Sequence, residues 1–156
     1  VIKKVMEQGR KIGLVVFGEK SEDPHPLFDK AGFEFEYHYR PTRERLRKIY
    51  QSCDIFLCPS WYEGLGLPSM EAMACRCALV TSDNGGCLDY AINGKTALVS
   101  PPRDIDRLSE NIIRLMDDKK LLESISQNGQ KKIYELDWHE SCEQLVGFFE
   151  KSLNLD

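Results

Sequence analysis

The stretch that most constrains how this chain can fold runs from Ile55 to Cys75. Ile55-Phe56-Leu57-Cys58 is a short apolar run bounded by Asp54 and Pro59, which suits a buried strand. A loop follows, with Gly64 and Gly66 one residue apart. Pro68 then stands where a first helical position would be, since its missing N–H costs nothing there. Met70, Met73 and Ala74 supply an apolar stripe at helical spacing. The reading is strand, glycine loop, helix N-terminus. Glu63 lies in the loop and Glu71 about one turn into the helix.

Such an arrangement can hold an anion. Loop amides and the first helical amides have no partner inside the helix, and the helix dipole adds positive potential at the same end. Gly64 and Gly66 let the backbone approach a ligand closely. A carboxylate only accepts hydrogen bonds, so beside a phosphate site it suits hydroxyls such as those of ribose or a sugar. Phosphate plus hydroxyls points to a nucleotide or nucleotide-sugar. The glycines by themselves also read as an ordinary turn with two solvated glutamates.

The rest of the chain is compatible with an α/β domain. Its 156 residues, 42% hydrophobic and 29% charged, make one domain with a real core. A net charge of −4 supplies no broad basic surface, so nucleic acid is not an expected partner. No apolar run of about 18 residues is present, so no membrane-spanning helix is expected. No secretory signal is seen at the start. Val1 to Gly9 reads as the end of a helix stopped by Gly9, and the chain as an excised fragment. The six cysteines show no two-residue-spaced pair, which leaves zinc little support. A disulfide framework is possible in principle, but reduced cytoplasmic thiols fit better. No pair of carboxylates is read as flanking a single residue in the aspartate-any-aspartate pattern of metal-dependent sugar transferases, and the expected metal and cofactor content is none.

Lys11 to Gly18 is an apolar run that reads as the first complete strand, buried on both faces. Gly18 opens a loop at its C-terminal end, the edge where open α/β sheets bind ligands. Ser21 to Lys30, with Pro24, His25 and Pro26, reads as loop. Phe33 to Tyr39 alternates with period two, a half-exposed strand with His38 on its solvent face. Thr42 caps a helix from Arg43 to Ser52 whose inner face is Leu46, Ile49 and Tyr50. Cys77 to Thr81 is another buried strand, with a second glycine loop, Ser82 to Gly86, after it. Cys87 to Ile92 reads as a short helix closed by Asn93-Gly94. Thr96 to Ser100 is a strand ended by Pro101-Pro102, and Asp104 caps a helix from Ile105 to Met116. Lys120 to Glu135 is a polar-faced helix with a possible break near Gly129. The last helix, His139 to Leu153, is expected to turn Cys142, Leu145, Val146 and Phe149 inward. Alternating strands and helices imply a parallel sheet with right-handed crossovers.

Glu63-Gly64-Leu65-Gly66-Leu67-Pro68-Ser69-Met70-Glu71 resembles the spaced acidic pair of group-1 (GT4) retaining glycosyltransferases of GT-B fold. Ala72-Met73-Ala74-Cys75, Gly85-Gly86 followed by Asp89, Asn93-Gly94-Lys95, Pro101-Pro102 and Trp138 continue the match, which covers most of the chain from Lys11 onward. The resemblance implies a fold class of α/β, a Rossmann-like three-layer domain with a parallel sheet flanked by helices. It implies that residues 1–156 are one nucleotide-sugar-binding domain, the C-terminal half of a GT-B fold without the N-terminal domain. It gives Glu71 the ribose hydroxyls and places Glu63 near the donor sugar, where it orients and stabilises. It gives the amides of Gly64, Leu65 and Gly66 the sugar or pyrophosphate, with Leu67 in the same loop. Gly18 and Arg40 then fall on the substrate-binding edge, Arg40 as a base or phosphate contact or else a solvated arginine.

The resemblance further implies a UDP-, GDP-, ADP- or TDP-sugar donor, a saccharide or lipid-linked acceptor met through the N-terminal domain, and a retaining reaction without metal. It implies a cytoplasmic enzyme, at the inner membrane surface if the other domain places it there, and inactive as an isolated fragment. Three departures stand out. The family's phosphate-binding Arg and Lys usually lie upstream of Val1. Arg76 replaces a common glycine, and Asp89 replaces a common glutamate. A related GT-B enzyme, such as a nucleotide-sugar epimerase or a phosphorylase, and a nucleotide-binding module without chemistry are the alternative readings.

Overall fold

Local sequence chemistry explains where three of the helices begin. The computed structural model describes residues 1–19 and 32–153. Its elements are α1 (Ile2–Glu7), β1 (Val15–Gly18), β2 (Glu36–Tyr39), α2 (Arg43–Gln51), β3 (Ile55–Cys58), α3 (Leu67–Ala74), β4 (Ala78–Ser82), β5 (Ala97–Ser100), α4 (Ile105–Asp117), α5 (Lys119–Tyr134) and α6 (Trp138–Leu153). Thr42 caps α2 by accepting from the Arg45 amide at 3.2 Å. Asp104 caps α4 by accepting from Arg107 at 2.9 Å, and Asp118 caps α5 by accepting from Leu121 at 3.0 Å. Each cap meets an amide that the first helical turn leaves without a partner.

All strand pairs are parallel. β1 pairs with β2, β3 with β4, and β4 with β5. The expected single sheet is instead two, β1-β2 and β3-β4-β5. A cleft of about 1600 Å³ between them is lined by β1 and β3 residues such as Val15, Phe17, Ile55 and Leu57. Strands must approach to about 4.8 Å to share a ladder, and β1 and β3 do not. The cleft also explains why β1 is half-buried rather than buried on both faces.

β4 is buried along its whole length. Its alternate residues point to opposite faces. Ala78 and Val80 pack with Leu108, Ile112 and Leu115 of α4 and with Val5 of α1. Leu79 packs instead with Met73 of α3 and with Cys87 and Tyr90. Helices therefore cover both faces of the three-stranded sheet, as the Rossmann-like reading requires. α5 starts on the first face with Leu121, Leu122 and Ile125 and ends on the second with Ile133.

Four expectations need correction. α5 runs unbroken through Gly129. A Cβ there would lie 2.9 Å from the Thr96 carbonyl oxygen, so this glycine serves close packing rather than a break. The predicted helix after Cys87 is only a short 3₁₀ turn, Gly86–Asp89. His38 is largely covered, 15% exposed, with Nε2 2.8 Å from Oε1 of Glu36 two residues earlier on the same strand face. In α6 no residue is buried, and Leu145, Val146 and Phe149 are all exposed. The apolar stripe is present, but no described element lies against it. The loop reading of residues 21–30, including His25, lies outside the described residues. Among those described, no helix is long and apolar enough to cross a membrane.

Candidate functional site

The candidate site is built where β3 meets α3. Gly66 takes the N-cap position of α3 with φ 75°, Leu67 is the first helical residue and Pro68 the second. Pro68 was expected one position earlier, yet the second amide also lacks an intrahelical partner, so the economy is the same. Gly66 is required twice over. Its backbone is left-handed, and a Cβ would lie 2.6 Å from the Tyr90 hydroxyl. That hydroxyl donates to the Leu65 carbonyl at 2.9 Å. Burial pushes the Tyr90 phenol up to about 12, so it remains a donor at ordinary pH.

Glu63 is held by its backbone. Its amide donates to the Asn84 carbonyl at 3.0 Å, and Glu63 bridges to Gly85 in a parallel sense. Asn84 is buried, and its side chain accepts from the Cys87 amide at 3.1 Å. The double glycine explains this closeness. A Cβ on Gly86 would collide with the Gly64 carbonyl and lie 2.9 Å from that of Glu63. The loops after β3 and β4 are thereby pressed together at the C-terminal edge of the sheet.

Gly64 differs from its neighbours. It is exposed, and a Cβ there would meet nothing within 4 Å. No packing of the described protein demands glycine at this position. Among the described residues, the amides of Gly64, Leu65 and Gly66 donate to no protein acceptor. Three amides without a protein acceptor, next to a helix N-terminus, are the kind of backbone that can hold an anion.

Glu71 sits on the exposed side of α3, and the Tyr50 hydroxyl of α2 donates to its Oε2 at 3.2 Å. Burial, and after it the adjacent Glu71 carboxylate, raise the Tyr50 phenol well above its ordinary value. The Tyr50 ring packs edge-on against Phe17 of β1, with centroids 5.7 Å apart. Through that ring the fold links Glu71 to the end of β1. There Gly18 accepts from the Arg40 amide at 2.8 Å. Gly18 and Arg40 are thus neighbours at one strand edge, and Arg40 is exposed with φ 41°. Glu63, Gly64, Leu65, Gly66, Leu67 and Glu71 form one continuous loop-and-helix unit, and Gly18 with Arg40 form a second unit joined to it through Phe17 and Tyr50.

Tyr50, Asn84 and Tyr90 were not singled out from sequence as site residues. Helical periodicity placed Tyr50 inward, but its partner is 21 positions away. Contrary to the expectation from sequence, the chain does contain one Asp-any-Asp triplet, Asp104-Ile105-Asp106, the pattern that metal-dependent sugar transferases use. It serves the fold instead. Asp104 caps α4, and Asp106 pairs with Lys4.

Known proteins share this architecture. The chain is 32% identical over 131 residues to N,N'-diacetylbacillosaminyl-diphospho-undecaprenol alpha-1,3-N-acetylgalactosaminyltransferase of Campylobacter jejuni, covering 81% of this chain and 34% of the relative. It is 35% identical over 119 residues to alpha-maltose-1-phosphate synthase of Mycobacterium tuberculosis, covering 72% and 31%. The chain spans about a third of the length of these curated relatives. Among solved structures, sucrose-phosphate synthase from Thermosynechococcus elongatus superposes with a TM-score of 0.82 at 23% identity, over 99% of this chain and 42% of that one. Anabaena HepE, solved in complex with UDP-glucose, superposes at 0.71 and 16% identity, over 96% and 52%. These two likenesses establish the fold. The family described as Glycosyl transferases group 1 matches residues 1–132, and the chain belongs to that family.

Proposed function

We propose that this chain binds the donor in a retaining glycosyltransferase, one that moves a hexosyl group from a nucleotide-diphosphate sugar to a saccharide or lipid-linked acceptor in polysaccharide or glycoconjugate synthesis. The observation that carries the reading is the Glu71 carboxylate, steadied at one oxygen by Tyr50, on the helix that begins at a loop with three amides that lack protein acceptors among the described residues. The steadied carboxylate accepts from ribose hydroxyls. The amides of Gly64, Leu65 and Gly66 meet the pyrophosphate, and the α3 dipole adds to the attraction. Glu63, fixed by Asn84 and Gly85, stands beside the donor sugar and orients it. Gly18 and Arg40 lie toward the nucleoside. Diphosphate departure and acceptor attack take place on one face of the sugar, which preserves the anomeric configuration. The acceptor meets this edge from a second domain. The crystallised UDP-glucose complex of HepE supports a nucleotide-sugar donor, and the diphospho-undecaprenol in the name of the Campylobacter jejuni relative supports a lipid-linked acceptor.

Titration calorimetry with uridine, guanosine, adenosine and thymidine diphosphates tests the reading and identifies the base. A hydrogen bond to a charged group contributes roughly 1.5–3 kcal/mol. Glu71→Ala is therefore expected to weaken diphosphate binding by about ten- to a hundredfold. Glu63→Ala should spare the bare diphosphate and weaken only the sugar-bearing donor. Binding should persist in chelator. If Glu71→Ala binds the diphosphate as tightly as the parent chain, the ribose assignment is wrong.

A further inference from the structure

Trp61 and Arg103 stand at the same sheet edge as the candidate site but take no part in it so far. Trp61 follows β3 and Arg103 follows β5. The Arg103 guanidinium lies 4.3 Å from the Trp61 ring centroid. Among the described residues, that guanidinium makes no hydrogen bond or ion pair. Stacking uses its flat face and leaves its N–H edges free. Trp61 is 63% exposed, so one ring face carries the arginine while the other is open.

The pair is held in place. The Ser82 hydroxyl donates to the Ser60 carbonyl on one side of Trp61, and the Glu63 amide donates to Asn84 on the other. Arg103 has φ 67°, in the left-handed region where glycine is favoured. Asp104 immediately after it is committed to capping α4, so the backbone has little freedom to relax. An arginine at a glycine-favouring position, with its charge unpaired over an open indole, is the kind of outlier that points to a function.

Position indicates which function. Along the C-terminal edge of the sheet, Glu71 lies with Tyr50 on the α2 side. Glu63 is bridged to Gly85 beyond β4. Trp61, from the end of β3, meets Arg103, from the end of β5, so the pair lies toward the β5 side of the edge. A donor whose ribose is at Glu71 and whose sugar is at Glu63 leaves this pair on the far side of the reacting sugar.

We propose that Trp61 and Arg103 form an acceptor subsite for a sugar ring that carries a phosphoryl group, free or lipid-linked. The apolar C–H face of the ring covers the open indole face, whose π cloud is negative. The phosphoryl oxygens accept from the free N–H edge of Arg103, in the forked geometry that suits guanidinium. The assignment rests on the sugar-transfer reading above.

Trp61 and Trp138 are the only two indoles, so Trp138→Phe makes Trp61 fluorescence specific. Glucose 1-phosphate is titrated into that variant, with glucose and inorganic phosphate as controls and UDP binding measured on the same sample. The expected result is saturable quenching by glucose 1-phosphate at a concentration at least tenfold below that needed for either control. Arg103→Gly suits the local backbone, so it should fold. It should weaken the sugar phosphate about tenfold or more while leaving UDP binding unchanged. Arg103→Lys, which keeps the charge but loses the fork, should fall between. A farnesyl-diphosphate-linked sugar in detergent distinguishes the two sources: tighter binding than glucose 1-phosphate marks a lipid-linked acceptor, and weaker binding a free sugar phosphate. Unchanged sugar-phosphate affinity in Arg103→Gly overturns the subsite, as does UDP binding without sugar-phosphate binding. Failure of both ligands overturns the subsite together with the reading it rests on.

Discussion

The Tyr50 hydroxyl donates to Glu71 Oε2 at 3.2 Å, joining a buried phenol on α2 to an exposed carboxylate on α3. Tyr50 is anchored on two sides by edge-on contacts with Phe17 and Phe56, each with centroids 5.7 Å apart. A rigid donor steadies one carboxylate oxygen. Among the described residues, Glu71 Oε1 has no partner. The carboxylate is thus held in one orientation while keeping acceptor capacity for a ligand.

Tyr50→Phe should therefore weaken nucleoside diphosphate binding without unfolding the chain. Losing one exposed-side hydrogen bond of about 1 kcal/mol corresponds to a factor of about five in affinity. Calorimetry on folded Tyr50→Phe checks this. Affinity equal to the parent chain would show that Glu71 needs no steadying.

The two loop glycines should respond oppositely to a methyl group. Gly86→Ala places a Cβ against the Gly64 and Glu63 carbonyls, both of them backbone atoms. Overpacking of this kind costs about 1–3 kcal/mol, and denaturant titration should register it. Gly64→Ala meets nothing, so its stability should match the parent chain while diphosphate affinity falls. A Gly64→Ala chain that loses stability instead would indicate packing not expected from the open space at this residue.

Arg76 ends α3 with φ 71°. Its amide donates to Met73 at 2.9 Å, and the Cys77 amide donates to Ala72 at 3.0 Å. That bond pair is a Schellman motif, whose left-handed residue is usually glycine. A non-glycine residue there costs about 1 kcal/mol. Arg76→Gly should be neutral or stabilising by up to that amount, read as a raised denaturation midpoint with unchanged slope.

Alkaline pH should unfold the protein through groups held protonated in its core. Burial pushes the Cys77 thiol up from 9.0 to about 12 and the Tyr90 phenol up from 10.0 to about 12. Both folded values lie above the unfolded ones. The folded state therefore keeps protons that the unfolded state releases, and stability falls as pH rises. The contribution is complete below pH 9 and is lost as pH climbs toward 12. Denaturation midpoints measured between pH 8 and 11 should decline over the upper part of that range. Cys77→Ala should flatten the decline, and an unchanged slope in that variant would remove the thiol as a cause.

What the sequence determined by itself is what neighbouring residues decide. The caps at Thr42 and Asp104 and the short strand Ile55–Cys58 follow from interactions spanning a few positions. Capping, β-branching and helical period act at that range. The glycine loop between Glu63 and Glu71 was legible for the same reason. Tertiary structure decided the rest. Periodicity turned Tyr50 inward, but only the packing of α2 on α3 brought it to Glu71. Two glycines that look alike in sequence, Gly64 and Gly86, were separated by what lies across from each one. The separation of β1-β2 from β3-β4-β5 depends on inter-strand distance, which no residue pattern encodes. An apolar stripe shows that a helix has a face to bury, and it was exposed in α6 because burial requires a surface opposite it.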